Sequence, residues 1–467
     1  MFPEGPVALP EIVSRLEHVL ATSTAEATEI CWLEVRRGQE STGKRRRDSY
    51  ELNERNVLVR VRECGRTGLH RTSAANRSGL ENAVREAQAQ ARLSPPSPPP
   101  LEPPDAGAAA DTSVNTSVNT AVNTAVNTAV NTAGLFDAEL ARLTPQRARD
   151  LLQRLGEPGK GRAAETFRLG WSEGRIAVAS SRGLRRAAEV TSGWIEVTGG
   201  RQPGAGRAAA ASRSLAGLDP QAVRDRARRR QGPADVVPPP EGPVPILLAQ
   251  EAAAALVELL NRHALASEAF HGGLSFLDGR LGQAVFHPAI HLRDDPTDPR
   301  GLPFPFDLLG AAARPLDLVA GGIALTPAID DRLARRLDRS PTPQRVAPDE
   351  AVSGHLFLLP GGAGESELLQ AAEGGIWIAA LDPLEVFDPR GLRFRGVARG
   401  ARAVTGGALG RSLPDLIWED ALPGLLSRVL AVGSELVTIA TGAGLFRATT
   451  APMLAVQAGA GLRFALD

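Results

Sequence analysis

Apolar residues at Leu9, Ile12, Val13, Leu16, Val19 and Leu20 fall on one helical face, with Pro10 in the first turn, where proline is tolerated. A strand is expected at about 29–36. A second follows where Val57, Val59 and Val61 alternate with Leu58, Arg60 and Arg62. The polar, basic stretch Gly43-Lys44-Arg45-Arg46-Arg47-Asp48 between them reads as a solvated hairpin tip. Ser78 followed by Glu81 has the spacing of a capping box, and Leu80, Val84, Ala87 and Ala91 carry a helical face to about Leu93.

The pattern then stops. Residues 94–105 are Pro-rich, and from Thr112 to Asn131 the unit Thr-Ser/Ala-Val-Asn repeats. Such a polar repeat offers little to bury, so 94–134 is expected to be a disordered surface insertion. Thr144-Pro145 caps a helix whose apolar face is Leu151, Leu152 and Leu155, ended by Gly156. Residues 165–198 read as a meander of three strands, at 166–171, 175–179 and 189–197, and the Ala- and Arg-rich stretch 207–230 as a helix. Pro238-Pro239-Pro240 reads as a domain boundary.

Beyond it a strand is expected at 244–248 and a helix at 250–263. Short strands follow at 283–286, 355–359, 376–380, 393–399, 436–441 and 462–466, with helices at 366–373 and 422–432. Strands grouped apart from helices predict an α+β fold. Residues 1–235 would form an N-terminal α/β domain holding the insertion, and 240–467 a β-rich C-terminal domain.

Composition narrows the function. In 467 residues, 53 Lys+Arg balance 53 Asp+Glu, which argues against direct nucleic-acid binding. Lys44 and Lys160, the two lysines, sit in no Walker loop. Cys31 and Cys64 make no disulfide framework and no Cys-x-x-Cys pair. The N-terminus lacks a basic, then apolar leader, and no run approaches the roughly 18 apolar residues of a membrane span. A cytoplasmic protein with no membrane contact is expected.

Candidate chemistry is sparse. No Gly-x-Ser-x-Gly elbow occurs, and the Gly-rich pieces lack a dinucleotide-binding context. His287 and His291 are four apart, but Pro288 and the run to Asp294-Asp295-Pro296 suggest strand then turn, where such residues stand some 13 Å apart. They are a weak candidate metal pair. The carboxylates Asp294, Asp295 and Asp298 fit a turn in which Asp side chains bond local backbone; their spacing fails a calcium loop.

Several phrases in order are more informative. They are Val59-Arg60-Val61-Arg62 with Gly65-Arg66-Thr67-Gly68, Ser275-Phe276-Leu277-Asp278-Gly279-Arg280-Leu281-Gly282, Leu292-Arg293-Asp294-Asp295-Pro296 and Pro305-Phe306-Asp307 with Gly310. After these come Leu318-Val319-Ala320-Gly321-Gly322, Leu359-Pro360-Gly361-Gly362 with Ser366-x-x-Leu369, and Gly374-Gly375-Ile376-Trp377-Ile378. Together the chain resembles the TldD/TldE (PmbA) family, known as modulators of gyrase and as metallopeptidases. The likeness is weak from about 200 to 240 and omits the insertion.

In the catalytic TldD branch the helix opening the C-terminal domain carries His-Glu-x-x-x-His, and a cysteine near the C-terminus completes the zinc site. The Glu serves as general base on metal-bound water. Here the corresponding positions are Gln250, Glu251 and Ala255, and Phe446 lies near the place of the cysteine. The resemblance is therefore to the zinc-free TldE (PmbA) branch. It implies a subunit with no catalytic residue and no metal or other cofactor of its own. Its partner would be a zinc-bearing TldD-like paralogue, and the pair would degrade or mature small unstructured peptides. Asp294, Asp295, Gly361 and Gly362 are candidates for peptide or partner contact. The alternatives are an autonomous metallopeptidase using His287 and His291 with Asp294 or Asp295, and a non-enzymatic regulatory or binding protein.

Overall fold

A computed structural model describes residues 6–42, 48–98, 132–155, 165–200, 203–233, 235–347, 350–441, 447–459 and 463–464. The basic run at 43–47, the repeat segment 99–131, Gly156 and Phe446 lie outside the described residues.

The first half forms α1 (Leu9–Thr22), β1 (Ala27–Thr42), β2 (Tyr50–Glu63), β3 (Arg66–Thr72), α2 (Arg77–Leu93), α3 (Pro145–Arg154), β4 (Thr166–Ser180), β5 (Arg185–Gly199), β6 (Gly206–Ser212) and α4 (Pro220–Arg229). Its six strands make one antiparallel sheet in the order β3-β2-β1-β4-β5-β6. Strand alternation gives this sheet two apolar faces. Ile30, Trp32, Val57, Val59, Val61 and Ala179 meet α1 and α2, while Phe167, Leu169, Trp171, Ile195 and Val197 meet α3 and α4. On the opposite face Cys31, Ile176, Val178 and Val190 meet Phe304 and Phe306 of the second half.

Three expectations fail here, each for a tertiary reason. The strands expected at 166–171 and 175–179 are one strand. Glu173 within the supposed turn pairs Arg36 and Arg175, and Gly174 stays in register with Val35 and Val190. The Ala-rich start of the expected 207–230 helix is strand β6, because pairing with β5 buries Ala208 and Ala211. A short 3-10 turn forms at Ala216–Leu218, and the α-helix spans Pro220–Arg229, capped by the Asp219 side chain. The cap of α2 is Asn76, whose carboxyl-amide oxygen accepts from Gly79 N at 2.8 Å, rather than Ser78.

The second half supplies β7 (Pro245–Leu248), α5 (Gln250–Leu260), β8 (Leu292–Asp294), β9 (Leu316–Ala320), β10 (Ile323–Ala324), β11 (Arg345–Ala347), β12 (Glu350–Ala351) and β13 (His355–Leu358). Then come α6 (Glu365–Ala371), β14 (Ile376–Ile378), β15 (Ala380–Asp388), β16 (Arg393–Arg399), β17 (Arg402–Thr405), β18 (Ala408–Ser412), β19 (Leu416–Ala421) and α7 (Leu422–Ser427). The chain closes with β20 (Val429–Val432), β21 (Val437–Ala440), β22 (Ala448–Ala451), β23 (Leu454–Gln457) and β24 (Arg463–Phe464). Two six-stranded sheets result, β10-β9-β8-β13-β22-β21 and β18-β17-β14-β7-β23-β20, with a four-stranded sheet β15-β16-β19-β24 beside them. The fold is α+β.

Helix α5 packs against β7, β13, β15, β21 and β22. That position explains why Ala252, Ala253, Ala254, Leu256, Val257, Leu259 and Leu260 are all buried: a helix surrounded by sheets is apolar nearly all round. The expected strand at 283–286 is reduced to a single bridge between Ala284 and Ile323. The expected helix 422–432 ends at Ser427 and becomes strand β20.

Candidate functional site

The first turn of α5 carries the two polar side chains of that helix that are shielded most surprisingly. Gln250 is 1% exposed and Glu251 8%. A buried carboxylate needs a partner, and Glu251 has two. Its Oε1 accepts from the backbone N–H of Ala209 at 2.9 Å, and its Oε2 from Arg230 Nη1 at 2.8 Å. Arg230, just past α4, also donates to Gln250 Oε1 at 2.5 Å and to the Arg207 carbonyl at 2.9 Å. Its guanidinium lies 5.4 Å from the centre of the Trp377 ring. Ala209 lies on β6, the edge strand of the first sheet, and its carbonyl accepts from Arg226 Nη2 at 2.6 Å. Side chains thus occupy both backbone groups of Ala209, closing that point of the edge. The cluster joins α5 to β6 and to the end of α4.

This donor set does not fit a zinc ion. Gln250 offers a neutral amide oxygen already bonded to a guanidinium, Ala255 has no ligand atom, and a permanent cation sits against both Glu251 and Gln250. Among the described residues no three His, Cys, Asp or Glu side chains stand together as metal ligands. His287 and His291 are not assembled into a site: His287 Nδ1 accepts from Ala289 N at 3.1 Å and His291 Nδ1 from Gly321 N at 3.3 Å. Both belong to the turn before β8, and the strand begins only at Leu292.

The remaining candidates separate. Asp295 Oδ1 accepts from the N–H and hydroxyl of Thr297, at 3.0 and 2.7 Å, as in a local Asx turn. Asp298 does the same with Arg300 N at 2.9 Å. Gly361 and Gly362 are exposed in the loop after β13. A Cβ on Gly361 would come within 2.4 Å of the Val432 carbonyl, so close backbone approach requires glycine there. Asp294 is different. It is 1% exposed on β8, and its Oδ1 accepts from His355 N at 2.7 Å. Burial pushes its carboxyl up to about 6, against the pull of the His355 and Gly354 N–H groups and of the Gln344 amide.

Asp294 borders a cavity of about 260 Å³ between the two halves of the chain. Leu33, Val35 and Arg37 of β1 and Glu54 of β2 form one wall. Asp294, Phe304, Phe306, Gln344, Val352 and His355 are among those forming the other. His355 is buried, which pushes its imidazole down to about 3; Arg213 and Arg447 act in the same direction. The ring donates to the Leu302 carbonyl. Arg345 fixes the adjoining segment by pairing with Asp307 at 3.0 Å and Asp331 at 3.3 Å. Arg230, Gln344 and His355 were not singled out by sequence reasoning. Their partners come from segments far off in the chain, and spacing carries no signal for that.

Comparison with known proteins gives the fold its place. The sequence profile of the PmbA/TldA metallopeptidase C-terminal domain matches residues 241–459. Residues 241–459 are thus a C-terminal domain of the PmbA/TldA metallopeptidase type. The fold is similar to that of a candidate modulator of a DNA gyrase from Thermotoga maritima, with a TM-score of 0.75 and 19% identity over 96% of this chain and 99% of that one. It is also similar to TldE from Thermococcus kodakarensis, with a TM-score of 0.74 and 17% identity over 98% and 100% of the two chains. A candidate modulator of DNA gyrase from Bacteroides thetaiotaomicron gives a TM-score of 0.71 and 16% identity over 98% of each chain. At these identities the likeness is one of fold. Comparison with curated proteins finds no match.

Helix α5 is the first helix of the matched domain. Its first turn holds Gln250 and Glu251, both bonded to Arg230 from the end of α4.

Proposed function

We propose that this PmbA/TldD member is a TldE-like subunit, without peptidase activity of its own, that works with a zinc-bearing TldD-like chain on small unstructured peptides in the cytoplasm. The observation that carries the reading is the occupation of Glu251. Both its oxygens are engaged, one by the Ala209 N–H and one by a guanidinium. A general base must hold its lone pair toward a reacting proton, within hydrogen-bond reach. Glu251 instead holds two parts of the same chain together. The second support is the donor chemistry: Gln250 and Ala255 stand where the resemblance places imidazoles. Among the described residues no helix is long and apolar enough to cross a membrane.

The test is zinc content by mass spectrometry on the full chain purified alone. The expected result is zinc far below one per chain after dialysis. One tightly held zinc per chain would contradict the reading and return attention to the histidines before β8.

A further inference from the structure

We propose that the cavity between the first sheet and the second half is a binding site for a small apolar molecule that carries a primary amine or primary amide. The inference stands apart from the reading of Glu251, because it concerns other residues and another part of the fold. It rests on three features of the cavity. Its walls are mostly apolar: Leu33 and Val35 from β1 face Phe304, Phe306, Val346 and Val352. Its polar end has unmet hydrogen-bonding capacity. Asp294 Oδ2 has no partner, although Oδ1 is satisfied by His355 N, and His355 Nδ1 has none either. Gln344 lies close enough to Asp294 to draw its pKa down, yet neither atom of its amide completes a hydrogen bond. Asp294, Gln344 and His355 are 1%, 6% and 9% exposed. Buried polar groups are nearly always paired, so three at one cavity mark a place where a partner belongs.

The chemistry of the partner follows from the atoms left over. With the His355 ring donating to the Leu302 carbonyl, Nδ1 is an acceptor. Asp294 Oδ2 is an acceptor when ionised. An occupant serving both must bring at least two N–H groups, as an ammonium or a primary carboxamide does. The Gln344 amide can adapt to either, since it offers a donor and an acceptor. Other charges on the cavity are already matched: Arg37 with Glu54 at 2.6 Å, Arg345 with Asp307, and Arg447 with Glu258 at 2.8 Å. An anionic head would therefore meet Asp294 with no cation set aside for it. Water could serve the polar end, but the apolar walls call for a hydrocarbon body. A volume of about 260 Å³ lies just below the common range for ligand pockets, about 300–1,000 Å³, and suits an occupant the size of an amino-acid amide.

The experiment is calorimetric titration of the full chain with three probes sharing one branched skeleton: isopentylamine, isocaproamide and isocaproate. The amine and the amide are expected to bind and the carboxylate not to. Asp294→Asn keeps an acceptor for the His355 N–H and removes the charge. It should weaken the amine by about tenfold or more while leaving the amide within about threefold. Ala313→Phe, which fills the cavity from its rim, should abolish binding of both, and it decides the matter if Asp294→Asn does not fold. Isocaproate binding as well as the amine, no binding by any probe, or binding unmoved by a folded Ala313→Phe variant would overturn the proposal. Leu-Gly-Gly and its N-acetyl form separate the sources. Binding of the free tripeptide alone makes a peptide amino terminus the occupant. Binding of isopentylamine with neither tripeptide makes it a free small amine, and both results support the site.

Discussion

Glu251 gains nothing from solvent and depends on Arg230 and the Ala209 N–H for its charge to be tolerated. Removing one member of a buried ion pair strands the other, which costs about 3–5 kcal/mol, whereas replacing both by apolar residues of similar volume is often neutral. Glu251→Ala should therefore destabilise the chain by about that amount in urea unfolding, and Glu251→Leu combined with Arg230→Met should recover most of it. Additive losses in the double variant would mean that the two side chains do not act as a pair. Asp294 and His355 make a second prediction at this scale, because burial moves their pKa values in opposite senses. Asp294 goes from 3.8 to about 6, so the folded state binds the extra proton between these values and stability falls as pH rises through them. His355 goes from 6.5 to about 3, so the unfolded state binds the extra proton and stability falls as pH drops from about 6.5 toward 3. Between about pH 4 and 6 the two slopes oppose each other. His355→Gln should make the chain gain stability on acidification across that window, relative to the wild type, and Asp294→Asn should make it lose more. Unfolding free energies at several pH values decide this, and parallel curves for all three proteins would contradict the assignment.

At the scale of elements, β6 and α4 act as one unit with α5. A Cβ on Gly206 would stand 2.0 Å from the Ala227 carbonyl and 2.8 Å from Gln231 N, so β6 can approach the end of α4 only with glycine at that position. Gly206→Val should push the end of α4 away, and Arg230 with it. The expected cost is about 1–3 kcal/mol, the usual range for overpacking, with a further loss from the weakened Arg230–Glu251 pair. No change in melting temperature would count against this packing. The same region shows what could be read from the sequence. Periodicity located α1, α2, β2 and α5, where one apolar face or an all-apolar helix settles the structure locally. It misread Gly206–Ser212, because an Ala-rich run has helical propensity and becomes a strand only by pairing with β5. It also divided β4 at Gly174, where the pairing of β1 and β5 on either side overrides a local turn signal. In the candidate site, Gln250, Glu251 and Asp294 were legible as positions. Their state was not, since Arg230, Ala209 and His355 reach them across 20 or more residues of chain.

Across the whole molecule, the first sheet is covered by helices on one face and by Phe304 and Phe306 of the second half on the other. The two halves therefore share apolar contacts, the Arg230–Glu251 pair and the walls of the cavity. The fold is similar to that of TldE from Thermococcus kodakarensis, while the first helix of the PmbA/TldA-type C-terminal domain serves the contact between halves. The most direct test of the functional account is hydrolysis of a short unstructured peptide by the full chain alone, by a His-Glu-x-x-x-His TldD-like chain alone, and by the two together. The account predicts no turnover by this chain alone and turnover by the mixture that exceeds the TldD-like chain alone and survives Glu251→Gln here. Turnover by this chain on its own, abolished by Glu251→Gln in a folded variant, would contradict it.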